Sequence, residues 1–171
     1  MGLLFDDMFD VQKVSIQSTY NGAGGYTLTN IKNEISEGGL YTKELLKKRI
    51  IVMLGGKAAE YVYYGKELVT LGATQDLKEA NKLARQMITQ FGMGEDLEVF
   101  YEKNDDFSIM NDYSNYIKDK IDEESLSIVI KSYDEAIKLL KENDIVFKEI
   151  INKLIEKSIL NQNELIEILN K

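Results

Sequence analysis

The chain predicts a mainly α-helical fold with a small β-hairpin or edge strand near its N-terminus and a helical hairpin at its C-terminus. Three observations carry that expectation. Apolar residues recur at helical spacing over most of the chain from Thr42 onward. Short alternating runs stand near the N-terminus. Glycine and Asn/Asp mark the breaks, because the 171 residues include twelve glycines and no proline. A hydrophobic fraction of 44% is enough for an ordinary core.

The elements follow in order. "VQKVSIQS" at 11–18 puts Val14 and Ile16 on one face with polar neighbours, which is the alternation of a short half-buried strand. "YNGAGG" follows with an Asn21-Gly22 turn signal, and "YTLT" at 26–29 alternates again, so two short strands are joined by a loop. That glycine-rich loop lacks the Gly-Lys-Ser/Thr ending of a P-loop and the spacing of a dinucleotide fingerprint, which argues against a phosphate cradle. From Thr42, an N-cap, an apolar stripe runs through Leu45, Leu46, Ile50, Met53, Leu54, Ala58, Tyr61 and Val62 to a stop at Gly65. Gly55-Gly56 lies inside this helix. Each glycine costs about 1 kcal/mol against alanine there, so the pair points to close approach by another backbone or to a kink.

A second helix is expected from about Thr74 to Phe91, on Leu77, Ala80, Ala84, Met87, Ile88 and Phe91, with Gly92 ending it. "EDLEVFYEKNDD" at 95–106 carries six acids and one lysine and reads as a solvated connector. It lacks the ligand spacing and the glycine of a calcium loop. Beyond it the chain reads as wholly helical. One helix spans 113–142, Asn143-Asp144 breaks it, and Asp144 caps a helix holding Val146, Phe147, Ile150, Ile151, Leu154 and Ile155. "NQNE" at 161–164 is a capping-box analogue for a last short helix. Tyrosine and phenylalanine at helical spacing read as core.

Composition excludes several chemistries. A net charge of −8 with no offsetting basic patch argues against a nucleic-acid partner. The chain has no cysteine and no histidine. Disulfides, thiol nucleophiles, cysteine-based zinc sites and Ser-His-Asp catalysis within the chain are therefore out. The lack of cysteine leans weakly toward an intracellular compartment. No run approaches the roughly 18 apolar residues of a membrane span. "MGLLF" is too short for a signal peptide, lacks a basic n-region and is followed by Asp6 and Asp7. One carboxylate stands out: Asp76, in "LGATQDLKEA", expected in the first turn of its helix. An acid there most simply faces the unpaired N–H groups and the positive end of the dipole. The sharper alternative is a metal ligand, and the local sequence leaves both open.

Several stretches fall into one order. "VQKVSI", "GGYTL", "LYTKELL", "MLGGKAAEYVYYGKE", "GATQDL" and "ARQMITQFGMGEDLEVFY" resemble the peptidase domain of FtsH-family proteases, which are membrane-anchored, ATP-dependent AAA+ zinc metalloproteases. The resemblance is dense from Gly2 to about Tyr101, and the helical remainder matches in layout more than in residues. It implies a helical zinc-protease-like domain, with a peptidase core over 1–106 and a C-terminal helical subdomain of the same domain over 107–171.

The family's zinc is held by two histidines of an H-E-x-x-H helix and an aspartate far downstream. "GATQDL" matches the segment of that aspartate, so the resemblance assigns the ligand position to Asp76. It also assigns Gly25, Tyr26, Thr27 and Leu28 to an exposed edge strand along which substrate peptides lie. H-E-x-x-H is absent from this chain, and Met1 falls within a few residues of where it would have ended. The chain as written is thus expected to bind no zinc alone and to be inactive. Its first reading is the C-terminal part of an FtsH-like zinc metalloendopeptidase domain. The alternative is a naturally non-catalytic FtsH-like scaffold or regulatory subunit, and the third is an unrelated helical binding module. The resemblance further implies protein substrates and hexameric rings. Without the H-E-x-x-H helix, apolar side chains on the helices at 42–64 and 74–91 lose a cover, and self-association is the expected remedy.

Overall fold

The computed structural model describes residues 1–17, 24–39, 41–101 and 114–170. In chain order the elements are β1 (Phe9–Ser15), β2 (Tyr26–Ile31), α1 (Asn33–Gly38), α2 (Lys43–Tyr64), α3 (Thr74–Thr89), α4 (Asn115–Glu142), α5 (Asp144–Lys157), β3 (Ile159–Asn161) and α6 (Gln162–Leu169). Short 3-10 turns occupy Gly2–Phe5 and Lys66–Leu68. The fold is mainly helical with one small antiparallel sheet, as the periodicity predicts. Two compact units share the chain: residues 1–41 with 138–171, and residues 42–137. The division falls inside α4.

In the first unit β1 pairs with β2, from Phe9 opposite Ile31 to Ser15 opposite Tyr26. The other side of β1 pairs with β3, giving the order β2-β1-β3 and leaving β2 as an edge. The register shifts between Val11 and Lys13. This bulge breaks the inside-outside alternation read from the sequence. Phe9, Val11 and Ser15 are the buried positions, Val14 is half-buried, and Ile16 lies beyond the strand and is exposed. The expected pairing of Val14 and Ile16 on one buried face is corrected accordingly. The Asn21-Gly22 turn lies outside the described residues.

The reading of a wholly helical C-terminal part is also corrected, by β3. Ser158 ends α5 in a left-handed conformation, φ +63°, and its N–H donates to Leu154 O at 2.7 Å. A non-glycine residue there costs about 1–2 kcal/mol, and the turn delivers three residues to the sheet. Three residues are too few to show an alternation. Val11, Leu154, Leu160, Leu165 and Ile168 form the core of this unit. The short helix α1 was not anticipated. It buries no residue, so it carries no apolar stripe to read.

The second unit is built on α2 and α3. Thr42 caps α2 by accepting from the Leu45 N–H at 3.2 Å, and Gly65 ends it at φ +83°. Both were legible as signals. Leu46, Ile50 and Leu54 of α2 pack with Ala80, Leu83, Ala84 and Met87 of α3 and Val129 of α4. Full burial of a side chain of Leu, Ile or Met size is worth about 1.5–3 kcal/mol, so this cluster supplies much of the unit's stability. The helix runs unbroken through Gly55 and Gly56. Gly55 is buried, whereas a Cβ at Gly56 would meet nothing within 4 Å, so no close approach explains that glycine among the described residues. Gly92 has φ +61°, and a Cβ there would lie 2.7 Å from the Glu98 carbonyl oxygen. The described part of the acidic connector, residues 95–101, is tied to α4. Glu124 accepts from the N–H groups of Glu95 and Asp96, and Lys120 pairs with Asp96 at 2.9 Å.

Candidate functional site

Asp76 is the third residue of α3, counted from the N-cap Ala73. Alanine has no side-chain oxygen, and no side-chain hydrogen bond caps this end. Asp76 does not fill the role. Its carboxylate makes no hydrogen bond and no ion pair with any described residue. Partial desolvation instead pushes its pKa above the ordinary aspartate value. Asp76 thus stands in the first turn, at the positive end of the helix dipole, without a capping hydrogen bond.

The loop that delivers Asp76 is held in a different way. Glu60, in the last part of α2, accepts from the Thr70 N–H at 2.6 Å and from the Thr70 hydroxyl at 2.8 Å. The same hydroxyl accepts from the Gly72 N–H at 3.1 Å. Leu71 O then accepts from both the N–H and the hydroxyl of Thr74, at 3.0 and 2.7 Å. These bonds hold the Glu60 carboxyl below the ordinary glutamate range, chiefly through the Thr70 N–H. One carboxylate thereby organises the residues just ahead of α3. Sequence reasoning gave Glu60 no role. A signal existed, because an acid near the C-terminal end of a helix opposes the dipole and needs another reason to be there.

The residues Gly25, Tyr26, Thr27 and Leu28 belong to the first unit, whereas Asp76 belongs to the second. Tyr26, Thr27 and Leu28 open β2, the edge of the sheet, and all three are exposed. The outward side of β2 has no strand partner among the described residues. Its free N–H and C=O groups are those an added strand would use. The Lys13 ammonium lies 5.7 Å from the centre of the Tyr26 ring. Gly25 precedes the strand, and a Cβ there would lie 2.5 Å from the Ser15 carbonyl oxygen. Its glycine is explained by that backbone contact.

The donor set of the chain does not fit a zinc ion by itself. There is no histidine or cysteine, and among the described residues no three Asp or Glu are grouped to hold a metal. Asp76 can supply one oxygen ligand, and a zinc site needs three or four protein ligands. Likewise, among the described residues no helix is long and apolar enough to cross a membrane.

The profile of peptidase family M41 matches residues 1–168. ATP-dependent zinc metalloprotease FtsH 3 of Synechocystis is 34% identical over 175 residues, covering 96% of this chain and 28% of that protein. ATP-dependent zinc metalloprotease FtsH of Chloroflexus aggregans is 37% identical, over 94% of this chain and 25% of that protein. ATP-dependent zinc metalloprotease FTSH 1, chloroplastic, of Arabidopsis thaliana is 30% identical, over 98% and 24%. The chain thus spans about a quarter of the length of these relatives.

Proposed function

This chain belongs to peptidase family M41, and from that premise we propose that it supplies two parts of an FtsH-like zinc metalloendopeptidase domain. Asp76 is the carboxylate ligand of the zinc site. Gly25 and the strand residues Tyr26, Thr27 and Leu28 form the edge against which protein substrates extend. The observation that carries the reading is the Asp76 carboxylate itself, set in a first helical turn with no partner among the described residues and a raised pKa.

A catalytic zinc with three protein ligands and one open position lowers the pKa of its bound water to about 7. The imidazoles and the carboxylate base that such a site also requires are not residues of this chain, so the chain alone is inert. What its own residues do is bind and orient. The Glu60–Thr70–Gly72 bonds fix the loop ahead of Asp76. The edge of β2 binds main chain rather than particular side chains, which suits a protease that accepts many sequences.

A second reading is a non-catalytic M41 scaffold that acts through self-association. Apolar side chains exposed around the α2–α3 loop favour it: Tyr64, Leu68 and Leu71, the last 88% exposed. One experiment addresses both. The chain alone is expected to carry no stoichiometric zinc by elemental analysis and to leave casein intact. Joining a relative's H-E-x-x-H helix ahead of Met1 is expected to give one bound zinc. Asp76→Ala in that fusion should weaken zinc by more than the roughly 10–100-fold typical of outer-shell partners. One tightly bound zinc in the unfused chain, or a fusion indifferent to Asp76→Ala, sinks the ligand reading. A fusion that takes up no metal while the chain sediments as an oligomer favours the scaffold.

A further inference from the structure

A cavity of about 320 Å³ lies wholly within the 42–137 unit, among α2, the end of α3, the Glu95-Asp96 turn and α4. That size is at the small end of the pockets that hold organic ligands, about 300–1,000 Å³. Its apolar lining includes Ile51, Ile88 and Ile128. Eight charged side chains also line it, and most are already engaged. Lys120 pairs with Asp96 and Glu123, Glu124 takes the two N–H groups of the turn, and Lys43 donates to Gly94 O at 3.3 Å.

Two lysines remain. Lys47 of α2 and Lys131 of α4 have no partner among the described residues, and Glu95 is the one lining carboxylate in the same condition. The lining as a whole is neutral, with four lysines and four carboxylates, and its partnerless side chains are two ammonium groups against one carboxylate. Ser132, next to Lys131 in α4, also lines the cavity; it is only 5% exposed, and its hydroxyl makes no hydrogen bond with any described residue. Nearly buried hydroxyls are normally paired. Among the described residues no side-chain polar atom fully cut off from solvent lacks a partner, so the Ser132 oxygen keeps some contact with solvent.

We propose that this cavity is a binding site for a small aliphatic carboxylate. The isoleucines pack the hydrocarbon body, Lys47 and Lys131 pair with the carboxylate, and the Ser132 hydroxyl donates to one of its oxygens. A cation would meet the two free ammonium groups, and inorganic phosphate would leave the apolar lining uncovered. The site does not depend on Asp76 or on zinc.

The test is titration of the purified chain with hexanoate, hexylammonium and inorganic phosphate, followed through the backbone amide signals of Ile51, Ile88, Ile128 and Ser132. Hexanoate is expected to give saturable shifts at these amides, phosphate weaker ones and hexylammonium none. Lys47→Ala and Lys131→Ala, both at exposed positions, should each weaken hexanoate by about threefold, as exposed ion pairs do. Ser132→Ala should weaken it by about two- to tenfold, the worth of one hydrogen bond. Absence of saturable shifts overturns the proposal. So does equal binding of hexylammonium or of phosphate, or hexanoate binding that survives both lysine substitutions unchanged.

Discussion

Glu164 and Asp76 occupy the same place in two helices, the third residue after the N-cap, and their surroundings have opposite effects. Glu164 in α6 is fully engaged. Its side chain accepts from the Asn161 N–H, Asn161 accepts from the Glu164 N–H, and Lys157 pairs with the same carboxylate. Those bonds hold its pKa below the ordinary glutamate value, Lys157 first. Asp76 in α3 follows an alanine N-cap, bonds to nothing described and has its pKa raised by desolvation. A carboxylate in a first turn is thus part of a completed capping box in one helix and without a bond to any described residue in the other. Position along a helix does not decide its role, and the neighbouring cap residue does.

The largest change to break this contrast is Asn161→Ala, which removes one half of the capping box. It should cost about 1 kcal/mol, the usual worth of an N-cap side chain, read as a lowered denaturation midpoint with an unchanged m-value. A smaller effect separates the two acids by pH. The folded pKa of Glu164 lies below its unfolded value, so its stabilisation is present above the ordinary carboxylate range and is lost as pH falls through the folded pKa. Glu164→Gln should therefore flatten the acid limb of stability against pH. If that limb is unchanged, the engagement of Glu164 has no energetic weight.

The smallest effect is Asp76→Asn, and its sign is opposite. A raised folded pKa means the ionised carboxylate opposes folding, and the penalty grows as pH rises through the ordinary aspartate value toward the folded one. At neutral pH the variant should be as stable as the parent or slightly more so, within about 0.5 kcal/mol, as expected of a surface change. A clear loss of stability would show that Asp76 is a structural acid after all, and the contrast with Glu164 would collapse.

Much of the fold was legible because its signals are local. Thr42, Gly65, the stripe of α3, the break at Asn143-Asp144 and the Asn161–Glu164 box are each read within a few residues. What escaped depends on partners distant in sequence or on conformations without a composition cue. β3 follows from one serine in a left-handed conformation, α1 buries nothing, and the bulge after Val11 changes which side chains of β1 face inward. At the candidate site, the place of Asp76 in a first turn was readable, whereas the lack of a side-chain bond to any described residue was not. The Glu60–Thr70 contact joins residues ten apart through a loop that carries no periodic pattern. The exposed edge at Tyr26–Leu28 was readable as a strand, but its place at the sheet margin required knowing that β3 takes the other side of β1.

The way β1 is sandwiched has a consequence for how the chain is made. Its two neighbours arrive far apart in the order of synthesis, and the bond between Gln162 and Asp10 joins positions 152 residues apart. A nascent chain can close the hairpin of β1 and β2 early, yet the second flank of β1 stays open until Ile159–Asn161 has left the ribosome. Residues 42–137, by contrast, find all their internal partners within one contiguous stretch. Long-range pairing is the slow part of folding because loop closure precedes any reward from the contact. Until Ile159–Asn161 emerges, β1 is therefore a strand with an unprotected edge, the condition in which half-made sheets recruit unwanted partners.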